Sequence, residues 1–407
     1  MGDLTTLEDI IEAQQALHDF VRITDLVPLA LPGQGLPGGW LHLKAESLQQ
    51  TGSFKVRGAY NRMRRMTPEE RARGVIASSA GNHAQGVALA ARELGIAATI
   101  VMPATAPLQK VENTRKLGAT VELCGAFYDD AYERALALQR ETGAVFVHAF
   151  NDRHVIAGQG TIGLEVLTQL PDVQTILVPV GGGGMAAGIA LAAKSLRPDI
   201  EVLGVEPEGA ASMKQSLLRG EVTTLTSCST IADGVAVKTP GDLPFTLCQK
   251  YLDDILTVDE DEIASAILTM MEQAKMVVEG AGAVAVAGAM HAGGRLSGRR
   301  TVAIVSGGNI DVSMVARIID RGLVKTGRKA ELIARITDRP GQLSRMLECV
   351  ADAGANILSI QHERSRSTLP IGQVVVELVL ETSGFEHIAE VLRQLANLGI
   401  DAVNVTQ

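Results

Sequence analysis

Lys55 stands in the run Gly52-Ser53-Phe54-Lys55-Val56-Arg57-Gly58-Ala59, between an aromatic and a β-branched residue. An amine that must shed its proton and form an imine needs partial desolvation, and apolar neighbours such as Phe54 and Val56 lower its pKa in that way. A lysine on an exposed helix edge would fit the same run, so other stretches have to decide. Gly181-Gly182-Gly183-Gly184-Met185 follows an apolar strand pattern and opens a helical one. Four consecutive glycines leave backbone N–H groups free to converge on an anion at the helix N-terminus, as in a phosphate cradle. A merely tight strand–helix turn needs fewer glycines. The stretch lacks the lysine and Ser/Thr of a P-loop, and no acidic ribose partner marks it as a dinucleotide fingerprint.

Ser78-Ser79-Ala80-Gly81-Asn82-His83-Ala84-Gln85-Gly86 is a second strand-to-helix junction, whose free N–H groups suit a carboxylate. Taken singly, Asn82 reads as an ordinary N-cap and His83 as a structural histidine. Ser306-Gly307-Gly308-Asn309 reads alone as a turn, and Glu279-Gly280-Ala281-Gly282-Ala283 as a close helix–helix contact.

These stretches need a scaffold, and the composition supplies one. Hydrophobic residues make up 46% of the 407, enough for a sizeable core in two or three units, and 42 glycines imply many tight turns. A net charge of -9 and 3% aromatics argue against nucleic acid and anionic membrane as partners. Cys124, Cys228, Cys248 and Cys349 lie far apart without metal-ligand spacing, which argues against a zinc site or a disulfide framework. The apolar run from Ala281 to Met290 is too short to span a bilayer, and no signal-peptide pattern opens the chain. The expectation is a cytoplasmic protein.

Thr5 and Glu8 have the spacing of a capping box for a first helix ending near Phe20. Turns from Leu31 to Gly39 precede a strand from Trp40 to Ala45. Strands and helices then alternate: Gly74–Ser78, Asn82–Leu94, Ala97–Met102, Leu108–Leu117, Thr120–Cys124, Asp129–Glu141 and Val145–His148. A second alternating set starts at Thr161, with strands at Val173–Val180, Glu201–Val205 and Thr301–Val305, and with helices at Met185–Ser195 and Glu260–Lys275. The pattern predicts an α/β protein with parallel sheets covered on both faces, in two lobes with a cleft between them. Lys325-Thr-Gly-Arg-Lys329 marks the domain boundary, and beyond it the order βαββαβ predicts a ferredoxin-like unit.

Taken together and in this order, the Lys55 run, the Ser79–Gly86 run, the tetraglycine loop and Ser306–Asn309 resemble the fold type II pyridoxal-phosphate enzymes of the threonine dehydratase (threonine ammonia-lyase) family. The end of the chain, with Asp338-Arg339-Pro340-Gly341-Gln342-Leu343 and Gly354-Ala355-Asn356-Ile357, resembles an ACT domain. The resemblance implies a catalytic domain over residues 1–324, with a small lobe at about 45–150, and a regulatory domain over 329–407. It implies that Lys55 holds pyridoxal 5'-phosphate as an imine and then serves as the base at Cα. Gly181, Gly182, Gly183, Gly184 and Met185 would bind the phosphate. Asn82 would bond the ring hydroxyl, Phe54 would line the ring, and Ser306 would face the ring nitrogen. The substrate carboxylate would rest on Ser79, Ala80, Gly81, Asn82, His83 and Gln85.

The resemblance further implies conversion of L-threonine to 2-oxobutanoate and ammonia, and of L-serine to pyruvate, in isoleucine biosynthesis or threonine catabolism. The related serine racemases have a serine acid/base where this chain has Ala80, so racemisation is not expected. Glu206 and the Ala210 carbonyl match a divalent-metal site of the racemases. Ser212 replaces a carboxylate there, which favours a weaker or monovalent cation. Asp338, Arg339, Gly341, Gln342, Leu343 and Asn356 would form an amino-acid-binding edge for isoleucine or valine in a dimeric or tetrameric homo-oligomer. Alternatives are another hydroxy-amino-acid dehydratase, a serine racemase, or an inactive amino-acid sensor.

Overall fold

The structure is a computed structural model that describes residues 4–30, 41–364 and 370–406. Trp40 and the expected turns from Leu31 to Gly39 lie outside the described residues. Two compact units divide the chain, Met1–Asp311 and Val312–Gln407.

The first unit begins with α1 (Leu7–Leu17), β1 (Leu26–Leu29), β2 (Leu41–Lys44), α2 (Lys55–Arg64), α3 (Pro68–Arg73), β3 (Val75–Ser78) and α4 (Asn82–Leu94). It goes on through β4 (Ala98–Met102), α5 (Leu108–Lys116), β5 (Thr120–Leu123), α6 (Tyr128–Thr142), β6 (Val145–Phe146) and α7 (Arg153–Gln169). Next come β7 (Thr175–Pro179), α8 (Gly184–Leu196), β8 (Glu201–Pro207), α9 (Ser212–Arg219), α10 (Asp242–Tyr251) and β9 (Asp254–Val258). The unit closes with α11 (Glu260–Thr269), α12 (Gly280–Ala292) and β10 (Thr301–Ile304).

The small lobe is built on a four-stranded parallel sheet in the order β5-β4-β3-β6. The large lobe holds a six-stranded sheet, β1-β2-β10-β7-β8-β9, parallel except for β1 against β2. Strands β3, β7 and β10 are buried along their whole length, as the near-continuous apolar runs of a parallel sheet covered on both faces require. The C-terminal ends of β3, β7 and β10 lead directly into the Ser79, Gly181 and Ser306 stretches, where ligands of open α/β sheets bind.

Two local expectations are corrected. The capping box of α1 is Thr6 with Asp9, not Thr5 with Glu8: Asp9 N donates to Thr6 Oγ1 at 3.3 Å and Thr6 N to Asp9 Oδ2 at 3.0 Å. The Thr5 hydroxyl is instead buried and donates to the Arg153 carbonyl at the start of α7, 3.0 Å away. The helix expected over Glu260 to Lys275 ends as α-helix at Thr269 and passes into a π-turn, Met270–Ala274, with Lys275 left-handed at φ 57°. Met276 N then reaches back to the Met270 carbonyl, so both methionines stay buried.

The second unit contains α13 (Val312–Lys325), β11 (Lys329–Thr337), α14 (Gln342–Asp352), β12 (Asn356–Glu363), β13 (Gln373–Glu381), α15 (Phe385–Asn397) and β14 (Asp401–Asn404). Its antiparallel sheet has the order β12-β13-β11-β14, the ferredoxin-like arrangement. Alternate residues of β11, Ala330, Leu332, Ala334 and Ile336, point into a core shared with Met346, Val350, Val391 and Leu395 of the two helices. No helix among the described residues is long and apolar enough to cross a membrane.

Candidate active site

Lys55 is the first residue of α2, and no side chain caps that helix start. The segment leading into it is stitched to the end of β10. Phe54 N donates to the Ser306 carbonyl at 3.2 Å and Gly308 N to the Gly52 carbonyl at 2.9 Å, and Ser53 bridges Gly307. Thr51, just upstream, is left-handed at φ 64°, a conformation a β-branched residue adopts only under constraint. Val56 is fully buried and Phe54 half-buried, with the Lys55 Nζ 5.0 Å from the Phe54 ring centre and 3.4 Å from the Ala149 carbonyl. Burial pushes the half-buried Lys55 amine down to about 8, with Glu279 opposing the shift.

Close helix crossings set the position of α2. A Cβ on Gly86 of α4 would lie 3.0 Å from the Lys55 carbonyl carbon, and one on Gly158 of α7 only 2.7 Å from the Arg57 carbonyl oxygen. Gly158→Ala should therefore push α2 off α7 and cost about 1–3 kcal/mol, read from urea unfolding. Behind α2, Arg57 is fully buried and pairs with Glu46 and Glu165, while Lys44 donates to Glu165, the Thr24 carbonyl and Gln169.

The tetraglycine loop joins β7 to α8, and no side chain caps the helix. A Cβ on Gly182 would fall 2.4 Å from the Phe150 ring. One on Gly183, left-handed at φ 90°, would fall 2.4 Å from the Met213 methyl, and one on Gly184 2.9 Å from the Phe150 carbonyl. The loop is thus packed shut from behind, and the N–H groups of the first turn of α8 have no acceptor inside the helix. Met185 is only 5% exposed and belongs to the core, so it can offer a ligand its backbone N–H but not its side chain. Ala149 and Phe150 link the loop to Lys55: the one carbonyl accepts from Nζ, and the next side chain underlies the glycines.

Helix α4 starts at Asn82 with Gly81 as its uncapped N-cap, and a Cβ on Gly81 would meet nothing within 4 Å. This helix start therefore opens onto free space, as an anion site requires. Ser79 Oγ accepts from Gly81 N at 3.1 Å and shapes the turn. His83 is turned inward: it is 4% exposed, bonds the Val147 carbonyl at 2.8 Å through Nε2, and burial together with the nearby Lys55 charge pulls its pKa down to about 3. A neutral ring in that position supports the fold, and Gln85 is likewise buried. Ser79, Ala80, Gly81 and Asn82 are half-buried.

Asn82 Nδ2 donates to Glu279 Oε1 at 2.6 Å, and Asn82 Oδ1 accepts from Asn309 Nδ2 at 2.7 Å. Ser306, 3% exposed, donates its hydroxyl to the Ala281 carbonyl at 3.1 Å. Lys55, Asn82, Ser306 and the glycine loop are therefore gathered in one place. Glu279 joins them as a residue whose role the sequence alone does not reveal; its only signal is an acid heading a glycine- and alanine-rich helix.

Glu206 lies elsewhere. Its buried carboxylate accepts from Met213 N at 2.9 Å and Lys214 N at 2.8 Å at the start of α9, and burial pushes it up to about 7. The Ser212 hydroxyl is buried and has no partner among the described residues. Among the described residues no three His, Cys, Asp or Glu cluster as a metal site. In the second unit, Asp338, Arg339 and Gly341 lie between the end of β11 and the start of α14, which Gln342 and Leu343 open, and Asp338 is paired to Arg364. Asn356 is not brought to that loop. It pairs with Glu381, which also faces Lys329, at the opposite end of the sheet from Thr337.

A depressed amine, an uncapped glycine-rich helix start and an open, amide-rich helix start are the parts needed to hold a phosphorylated aldehyde and an amino acid's carboxylate together. The family model for pyridoxal-phosphate dependent enzymes matches residues 17–307, and that for ACT domains matches 330–397. An L-threonine ammonia-lyase of Thermotoga maritima is 52% identical over 398 residues, 98% of this chain and 99% of that protein. Among solved structures, the processed form of threonine deaminase isoform 2 from Solanum lycopersicum matches with a TM-score of 0.73 and 38% identity, over 79% of this chain and 97% of that one. Maize serine racemase matches with a TM-score of 0.73 and 37% identity, over 79% and 98%.

Proposed function

We propose, from the premise that this chain belongs to the pyridoxal-phosphate-dependent enzyme family and ends in an ACT domain, that it is an L-threonine ammonia-lyase. It eliminates the β-hydroxyl of L-threonine and releases ammonia and 2-oxobutanoate, and it takes L-serine to pyruvate in the same way. The observation that carries the reading is Lys55, an amine held down to about 8 beside an uncapped tetraglycine helix start.

Pyridoxal phosphate, when bound, supplies the electron sink for the bond broken at Cα. Lys55 would hold the cofactor through its amine and would be the base placed to accept the Cα proton. The N–H groups of Gly181 to Met185 would hold the phosphate, and those at the start of α4 the substrate carboxylate. Asn82 is assigned to the ring hydroxyl, Phe54 to the ring face and Ser306 to the ring nitrogen. The one proton of the Ser306 hydroxyl, donated here to the Ala281 carbonyl, would have to turn to that nitrogen; it would then leave the nitrogen largely uncharged, whereas a carboxylate would keep it protonated. The choice of serine over a carboxylate would suit loss of a β-hydroxyl better than amino-group transfer.

The likeness to a serine racemase favours a second reading, which Ala80 opposes, because a methyl group cannot return a proton to the other face of Cα. With L-serine the expected product is pyruvate without D-serine, followed by chiral chromatography. D-serine formed at a rate near that of pyruvate would make the chain a racemase.

The ACT domain regulates this activity in a homo-oligomer by binding isoleucine or valine, placing the enzyme in isoleucine supply. Steady-state 2-oxo acid formation from L-threonine and L-serine, with and without isoleucine and valine, tests the whole proposal. Turnover of L-threonine is the expected result; none by cofactor-loaded protein would overturn the enzyme reading. Calorimetry that detects no branched-chain amino acid binding would reduce the ACT domain to a structural module.

A further inference from the structure

Buried acids near the site are of two kinds. Glu46 and Glu165 each have a buried cation in hydrogen-bond contact, as buried charges normally must. Glu279, 5% exposed, has none among the described residues; its carboxylate spends Oε1 on a neutral amide, Asn82 Nδ2. The charged groups that act on it are Asp233, Lys110 and Lys55, and Lys110 is itself paired to Asp233 at 3.2 Å. Burial first, and Asp233 second, push Glu279 up to about 7. A carboxylate kept at such a desolvation cost with no salt bridge to the fold is a mark of a working site.

The surroundings are built for this contact. A Cβ on Gly307 would lie 2.2 Å from Glu279 Oε1 and 3.0 Å from Asn82 Nδ2, so only glycine leaves room for the pair. Glu279 N donates to the Gly307 carbonyl at 3.2 Å and fixes the start of α12. At the other end of the amide, Asn309 Nδ2 serves both Asn82 Oδ1 and the Thr51 carbonyl, each at 2.7 Å. That second bond restrains the left-handed Thr51 four residues before Lys55. The Asn82 amide has an acceptor at its nitrogen and a donor at its oxygen, so its orientation is determined.

We infer that Glu279 is a positioning residue of this site: with Asn309 it grips the Asn82 amide from both ends, and so ties the small lobe to the large lobe beside Lys55. The inference rests on the cofactor assignment above only for the place where the grip is exerted. Glu279 does not exchange a proton with the substrate; it holds the group assigned to the cofactor ring.

The test is reloading of cofactor-free protein with pyridoxal phosphate, read as a dissociation constant from absorbance and fluorescence, alongside kcat and KM for L-threonine. Glu279→Ala should weaken cofactor binding about tenfold or more, the scale of one lost hydrogen bond to a charged group. Glu279→Gln keeps an acceptor oxygen for Asn82 and should stay within about threefold of the unmodified chain. Asn309→Ala should weaken binding about tenfold, and the Glu279→Ala/Asn309→Ala pair by less than the product of the two, because both act through one amide. Cofactor affinity within about twofold in Glu279→Ala, or a fully multiplicative double variant, would overturn the inference while leaving the ammonia-lyase assignment standing. If Glu279→Ala does not fold, Glu279→Gln and Asn309→Ala decide. Retention in the first with loss in the second upholds the grip, and any other pairing refutes it.

Discussion

Lys55→Ala is expected to lower L-threonine turnover by about 10³-fold or more, since one residue both anchors the cofactor and takes the Cα proton. The visible absorption that arises when the cofactor bonds to the lysine should vanish with it. The fold should survive, because among the described residues the Lys55 Nζ makes a single hydrogen bond, the long one of 3.4 Å to the Ala149 carbonyl, besides its place over the Phe54 ring. Its depressed pKa even predicts the sign of the stability change in cofactor-free protein. A lysine with a folded pKa of about 8, below its ordinary value of 10.5, binds fewer protons folded than unfolded between those values. Its penalty is therefore full below pH 8 and fades as pH rises toward the unfolded value. Lys55→Ala should remove that penalty, so urea unfolding near pH 7 should show a chain no less stable than the original. A variant that unfolded early would mean that the lysine was structural. One that still dehydrated threonine at a near-normal rate would defeat the functional reading.

Glu165→Ala should have the largest effect on stability, a loss of about 3–5 kcal/mol measured by urea unfolding. Glu165 Oε1 accepts from Arg57 Nη1 at 2.5 Å, and Oε2 from Lys44 Nζ at 2.6 Å and Arg57 Nη2 at 3.0 Å. Removing the carboxylate leaves two cations in the interior with Glu46 as their remaining buried acid, and Lys44 and Arg57 are both 0% exposed. Burial alone would raise the Glu46 carboxyl, but the Arg57 guanidinium, the Thr24 hydroxyl and Lys44 together outweigh it and hold the pKa below the usual range. A depressed carboxylate stabilises the fold above its unfolded pKa, and that contribution is lost as pH falls through the folded one. The network thus predicts acid sensitivity, and Glu165→Ala should also reduce activity, because Arg57 lies two residues from Lys55 on α2.

Much of this was legible from residue order. The glycine run, the Ser78–Gly86 junction and the βαββαβ tail each carry their pattern locally, within one turn or one pair of elements, and the helix starts at Asn82 and Gly184 fall where those patterns end. Long-range contacts were not legible. Lys44, Glu46, Arg57 and Glu165 look like ordinary surface residues until β2, α2 and α7 bring them together. Thr5 was lost to capping because the Arg153 carbonyl, 148 residues away, claims its hydroxyl. Glu279 meets Asn82 across 197 residues, a pairing that no local spacing encodes. In the second unit, Asp338 and Asn356 share a motif-like resemblance, yet the length of β11 separates them.

The strand order of the large sheet has a consequence for biosynthesis. β10 lies between β2 and β7, so the two halves of that sheet cannot join until residues 301–304 have left the ribosome. The small sheet needs nothing beyond Phe146, and β7, β8 and β9 pair in the order in which they are made. β2 meanwhile waits with an open edge, the condition under which nascent chains aggregate or recruit chaperones. The Lys55 segment is pinned to Ser306 and Gly308, so it takes its final form in the same late event. Pyridoxal phosphate added during synthesis would therefore find no finished site on a chain stalled before β10. It would select completed molecules from those still missing the central strand.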